Sequence, residues 1–450
     1  MALLAACRAL LAATCMVAAT ATTPDAVTSL PGFGTLRDRV FAGFVEVNAT
    51  YDKNLFYWFV EAASGSEPRV TPTLIWMNGG PGASSLMGLL TENIGPLTLD
   101  LDGSLKENPH AWSRLYNILA FDNPVGSGYS YTRKGGYVTN EEEMRHDYYA
   151  GLTAFFELHP EYRHNPLWVT GESYGGKYVP NVAYEIHLRG ELQLKGVIIG
   201  NGVYDGRIQY PTIPQFAYMQ GLIDQQMLGH FQEKFHHCVE LIDGQALAEA
   251  ERFCEDTVRS LYASNESAGG IFYYDVGMAD GNFLDDLTAA MGRFLNNPST
   301  RAALHVGNHT WGQADESGPV SDALVKDFVT SQGLSILSSL IDAGKGYRVV
   351  TYNGVRDGSV CNHVGNALAM DQMKWSGQAA FREVQTKPWR LDGKLVGYEK
   401  SYGALTYHTI LRTGHLVPTV VPEVALGMLR QVVGAGVASV ALAPSAPLVV

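Results

Sequence analysis

The sequence predicts an α/β fold: a mostly parallel central sheet flanked by helices, with a helical cap inserted into it. Three observations predict it. Short apolar runs recur between helical stretches, the pattern of strands covered on both faces. A G-x-S-x-G pentapeptide, Gly171-Glu172-Ser173-Tyr174-Gly175, follows one such run and precedes a helix-forming stretch. Between about Asp205 and Val329 the strand rhythm stops and helical patterns replace it.

The elements follow in order. Residues 3–17 are apolar apart from Arg8 and a few small residues, and Ala18-Ala19-Thr20-Ala21 suits cleavage, so residues 1–21 read as a secretory signal peptide. Residues 44–47 and 55–61 read as an opening strand pair, and TLIWM (Thr73–Met77) as a buried strand running into Asn78-Gly79-Gly80-Pro81-Gly82. NILAFD (117–122), LWVT (167–170), GVIIG (196–200), RVVTY (348–352) and LTYHTIL (405–411) are further strands. Residues 142–158 read as a helix, and another starts at about Tyr178. The expected organisation is a core in two parts, 22–204 and 330–433, around a cap at 205–329. An unpacked tail is expected at 434–450, where no polar face balances the Ala and Val.

The chain has 450 residues, with 32 Lys and Arg against 45 Asp and Glu, so the net charge is 32 − 45 = −13. That balance argues against a nucleic-acid binder, which usually shows a basic face. Charged residues at 17% and hydrophobic residues at 46% argue against disorder. After the signal no stretch reaches the roughly 18 apolar residues of a membrane helix, so the mature protein is expected to be soluble and exported. Cys7 and Cys15 leave with the signal. Cys238 and Cys254 lie close enough in sequence to pair, which leaves Cys361 as a free thiol. Sequons at Asn48, Asn265 and Asn308 suit the same route, whereas Asn297 precedes a proline and is excluded.

By chance the pentapeptide would occur roughly 0.3 times in a chain of this composition, so its setting carries the argument. A serine hydroxyl needs a base, and the base an orienting acid. In this type of fold the order is Ser, then Asp or Glu, then His. Ser173, Asp357 past the RVVTY strand and His415 past the last strand fit that order. His408 lies inside the last strand and reads as a packed residue. The oxyanion of an acyl-transfer intermediate needs N–H donors, one from Tyr174 and one from the glycine loop at 79–82.

NGGPGASS (78–85), GESYGGKYVP (171–180), Tyr352-Asn353-Gly354 with Asp357, and GHLVP (414–418) resemble the serine carboxypeptidase family, of the carboxypeptidase Y and lysosomal cathepsin A type. The resemblance covers nearly the whole mature chain. It implies an α/β-hydrolase fold and removal of C-terminal residues from peptides and proteins, without cofactor or metal. Ser173 would be the nucleophile, His415 the base and Asp357 its orienter, with Gly80 and Tyr174 as oxyanion-hole amides. It also implies that Asn78, Gly79, Glu92 and Glu172 bind the substrate carboxylate. Glu92-Asn93-Ile94-Gly95-Pro96 matches the family's E-x-G-P stretch with one extra residue. Two acids facing a carboxylate must share a proton, so peptidase activity is expected to peak below about pH 6. Cys361 would sit near the pocket. Relatives exist as monomers or homodimers, and the compartment is extracellular, lysosomal or vacuolar.

There are departures. Ala83 and Ala314 stand where the family usually has a disulfide pair, and the segment after Asp357 is one residue longer than usual. Other constellations carry less. His236-His237-Cys238 could be read as metal ligands, but Cys238 has a better partner in Cys254. Gly126-Ser127-Gly128 lacks the lysine of a phosphate loop. An acyltransferase or an idle binding partner on the same scaffold remain as other classes of function. The intact acid set favours the peptidase.

Overall fold

The structure is a computed structural model describing residues 23–63, 67, 70–263, 268–278, 283–312 and 318–434. The expected signal peptide, the tail from 435, Asn265 and Ala314 lie outside the described residues.

Twelve strands form one sheet: β1 (Ala26–Leu30), β2 (Gly34–Asn48), β3 (Lys53–Val60), β4 (Thr73–Met77), β5 (Asn117–Phe121), β6 (Tyr131–Thr132), β7 (Leu167–Glu172), β8 (Leu194–Gly200), β9 (Arg348–Gly354), β10 (Lys387–Leu391), β11 (Lys394–Tyr402) and β12 (Leu405–Ile410). Their order is β1-β2-β3-β5-β4-β7-β8-β9-β12-β11-β10, with β6 paired to β3. The central strands β5, β4, β7, β8, β9 and β12 are all parallel. Antiparallel pairs extend both edges. The α/β-hydrolase expectation therefore holds.

Helices on both faces explain why the central strands are apolar throughout. Every residue of β4, β5 and β7 is buried. Alternate side chains of β4 join different cores. Ile75 and Met77 pack with Phe155 and Val179 on one face, and Leu74 and Trp76 with Leu86 and Leu429 on the other. The helix Glu141–Leu158 starts where Asn140 accepts a hydrogen bond from the Glu143 amide, and Glu141, Glu142 and Glu143 fill its first turn. Acids there complement the helix dipole.

Between β8 and β9 the regular elements of the described chain are all helices, from Gly206–Gln209 to Gln332–Asp342. Cys238 and Cys254 join the helices Gln225–Asp243 and Leu247–Ala263, with Cα atoms 5.4 Å apart. Gln332–Asp342 packs back onto the helix Gly175–Arg189. No helix among the described residues is long and apolar enough to cross a membrane.

Sequence and structure differ in places. The opening pair is longer than 44–47 and 55–61, because β2 runs out past the core with exposed residues. β1, β10 and β11 were not expected. KPWRL at the sheet edge and KLVGYEKSY beside it are charge-rich strands whose pattern does not announce burial. The helix after Ser173 starts at Gly175 rather than near Tyr178. Glycine is a poor helix former, but at Gly176 a Cβ would stand 2.3 Å from the Val203 carbonyl oxygen, so close approach requires it.

Candidate active site

Parallel strands bring their carboxyl ends to one edge of the sheet, where the following loops meet. Ser173 follows β7 there. Its φ of 61° lies in the left-handed region, strained for a serine. The turn is tied down locally: the Ser173 amide donates to the Gly200 carbonyl at 3.0 Å, and the Ser173 carbonyl accepts from Val203 at 2.9 Å. The loop after β4 presses on this turn. A Cβ on Gly79 would stand 2.5 Å from the Tyr174 nitrogen, so only glycine fits. Gly79 and Gly80 both line the cavity that Ser173 faces.

His415 follows β12 and Asp357 follows β9, the neighbouring strand. The His415 Nδ1 lies 2.7 Å from Asp357 Oδ2. With the carboxylate as acceptor, Nδ1 carries the proton and Nε2 is left as the basic nitrogen. Asp357 is fully buried and accepts three more hydrogen bonds. They come from Asn201 Nδ2 at 2.7 Å, the Ser359 amide at 2.9 Å and Ser359 Oγ at 2.6 Å. The longer segment after Asp357 supplies Ser359. His408 is the contrast: buried within β12, it is held neutral, its pKa pulled down to about 4 by burial.

A second group adjoins the first. Asn78 Nδ2 donates to Glu92 Oε1 at 2.8 Å and to Glu172 Oε1 at 3.3 Å. Asn78 is itself fixed, because its Oδ1 accepts from Trp76 Nε1 at 2.7 Å and from the Gly88 amide at 3.0 Å. Burial pushes the Glu172 carboxyl well above the usual carboxylate range, and the Glu92 charge pushes it further. Burial raises Glu92 as well, with Asn78 pulling the other way. The Oε2 atoms of both acids lack any donor elsewhere in the described protein. Two buried acids bridged by one amide, each raised by burial, favour holding a proton between them over carrying two charges.

A cavity of about 660 Å³ connects the two groups, lined by Asn78, Gly79, Gly80, Glu172, Ser173 and His415 among others. Glu92 and Tyr174 stand behind that wall rather than on it. Cys361 lines it, buried and free, with its thiol pushed well above its usual range by burial. Phe272, Tyr273 and Tyr274 form an aromatic side.

The sequence-predicted residues thus converge. Sequence reasoning missed Asn201, which sits just past β8 at φ 41°. The Gly200-Asn201-Gly202 that ends the GVIIG strand was the available signal, at the carboxyl end of a strand beside the elbow. It also missed Glu141, whose Oε1 accepts from the Tyr174 hydroxyl at 2.9 Å. Asn308 is exposed, and Asn48 is partly exposed and accepts from the Thr50 amide at 3.0 Å. Ala83 is flanked by Ser84, whose Oγ accepts from Trp311 Nε1 at 2.9 Å, so the loops that the family links covalently still touch here.

A family model described as serine carboxypeptidase matches residues 31–435. The chain is 34% identical over 401 residues to the venom serine carboxypeptidase of Apis mellifera, covering 87% of this chain and 83% of that one. It is 33% identical over 419 residues to the probable serine carboxypeptidase CPVL of Homo sapiens, covering 89% and 84%. Among solved structures it is similar to Kex1(delta)p, a prohormone-processing carboxypeptidase from Saccharomyces cerevisiae. The TM-score is 0.77 at 24% identity, covering 88% of this chain and 91% of that one.

Proposed function

Because the chain belongs to the serine carboxypeptidase family, we propose that it hydrolyses the C-terminal peptide bond of peptides and proteins at acidic pH, through a Ser173–His415–Asp357 triad and an acyl-enzyme. Ser173 Oγ attacks the scissile carbonyl while His415 Nε2 takes its proton. Asp357 holds the imidazole in the tautomer that leaves Nε2 free and stabilises the imidazolium that forms. The amides of Gly80 and Tyr174 receive the oxyanion. The leaving amine takes the proton from His415, and water then hydrolyses the ester on Ser173 by the same steps in reverse.

The acid pair confines the reaction to chain ends. Glu172, on the wall beside Asn78, donates its proton to the substrate's C-terminal carboxylate. Asn78 and Gly79 complete that subsite, and Glu92 acts from behind by sharing the proton. Below the raised pKa the pair is neutral or singly charged. As pH rises through it, a second negative charge forms where the substrate's own charge must sit, and binding fails. The observation that carries this reading is one cavity wall holding both Ser173 with His415 and Glu172 with Asn78.

An exported enzyme, extracellular or in a lysosome or vacuole, fits the signal sequence, the disulfide and the exposed Asn308. The test is hydrolysis of a blocked dipeptide with a free C-terminus by wild type and Ser173→Ala. Cleavage by the first and none by the second supports the proposal. Cleavage by both, or by neither with wild type folded, contradicts it.

A further inference from the structure

Residues 271–278 come from the region between β8 and β9, yet they are laced onto the loops that carry Asp357 and His415. The His415 amide donates to the Tyr274 carbonyl at 2.6 Å. The Gly358 amide donates to the Tyr273 carbonyl at 2.8 Å, and the Val276 amide to the Arg356 carbonyl at 3.0 Å. The Tyr274 ring centre lies 4.8 Å from that of His415. The contact is close enough to fix a residue type, since a Cβ on Gly414 would stand 2.1 Å from the Tyr274 carbonyl oxygen.

One ion pair locks this strap. The Asp275 side chain is almost wholly buried, and Arg356 grips both its oxygens. Nη2 donates to Oδ2 at 2.9 Å, and Nε stands 2.9 Å from Oδ1. Arg356 Nη2 also donates to the Arg412 carbonyl at 2.5 Å, which ties in the loop leading to His415. The Gly277 amide donates to Asp275 Oδ1 at 2.9 Å and closes the turn around the pair. A guanidinium held at once by a buried carboxylate and by a backbone carbonyl has a fixed geometry that a point charge would not.

We infer that Arg356, through its ion pair with Asp275, is a positioning residue for the hydrolysis, holding the strap that sets His415 against Asp357. It touches neither substrate nor reacting atoms. It adjoins Asp357 in sequence, and its strap packs on the base. This rests on the triad reading above, and displacement of a catalytic group by about 1 Å can cost on the order of a hundredfold in rate.

The test uses Arg356→Gln, Arg356→Lys, Asp275→Asn and the Arg356→Gln/Asp275→Asn double variant. Each is followed by thermal unfolding, by kcat and KM on the blocked dipeptide, and by the rate of Ser173 labelling with a fluorophosphonate, which has no C-terminal carboxylate. Arg356→Gln and Asp275→Asn are each expected to slow labelling and kcat by roughly tenfold or more, with KM within about threefold. Arg356→Lys should recover part of the loss, and the double variant should be no slower than either single one, as for one shared interaction. A folded variant that labels at the wild-type rate overturns the inference. So does a rise in KM alone, which would make the strap only a cavity wall. Should Asp275→Asn fail to fold, Arg356→Lys decides, because it keeps the charge and loses the planar guanidinium that joins Asp275 to the Arg412 carbonyl. Failure of wild type to label would instead overturn the triad.

Discussion

Asp357 and Glu172 are buried carboxyl groups at the carboxyl ends of strands in the same sheet, and the chain treats them in opposite ways. Asp357 accepts from Asn201, from both Ser359 donors and from His415. Glu172 shares a single side-chain amide, that of Asn78, with Glu92, and leaves one oxygen to the acid pair. The first environment satisfies a carboxylate's lone pairs; the second favours a carboxylic acid. Burial alone therefore does not decide what a carboxyl does. The donors around it do.

The comparison can be broken at its strongest point with Asp357→Asn. The amide would keep the shape but favour the wrong imidazole tautomer, and kcat should fall by about 10⁴ on peptide and ester substrates alike. Steady-state kinetics on both substrates measures it. Equal losses are expected, because Asp357 has no part in reading the substrate carboxylate. Removing one donor is the milder test. Asn201→Ala should lower kcat by on the order of tenfold, since the buried carboxylate loses a charge-assisted bond worth about 1.5–3 kcal/mol. KM for the free-acid peptide should move little.

A third buried carboxyl sharpens the contrast away from the cavity. Glu141 is pushed up to about 8, by burial first and then by the neighbouring Asp327 charge, and among the described residues Tyr174 is its one side-chain donor. Its folded-state pKa exceeds the ordinary glutamate value of 4.5. The folded chain thus keeps a proton that the unfolded chain gives up, and the associated stability is present below about 4.5 and lost as pH rises towards about 8. Glu141→Gln should flatten that fall by roughly 1–3 kcal/mol, read from denaturant unfolding at both ends of the range. An unchanged slope would mean that Glu141 is ionised throughout.

Much of this was legible before any coordinates. The elbow, the order Ser173–Asp357–His415 and the glycine loop follow from turn chemistry placed against apolar runs, and the Cys238–Cys254 pair from spacing. The acid pair needed the family resemblance, because nothing local to Glu92 says that it meets Glu172. The rest depends on strand order. Asn201 reaches Asp357 because β8 and β9 are neighbours in the sheet. Arg356 reaches Asp275 across about eighty residues, and the sequence carries no register for that contact. The charged strands β10 and β11, the outermost pair at one side of the sheet, stayed hidden for a different reason: their exposed faces erase the apolar signal.

We propose that a protonated Glu172–Glu92 pair reads the substrate's C-terminal carboxylate. The most direct measurement is kcat/KM from about pH 4 to about pH 8 for a blocked dipeptide acid and its C-terminal amide, in wild type and Glu172→Gln. Wild type should lose the acid substrate as pH rises and keep the amide. Glu172→Gln should lose that difference in slope, because glutamine donates without titrating. Identical profiles for acid and amide in wild type would contradict the claim.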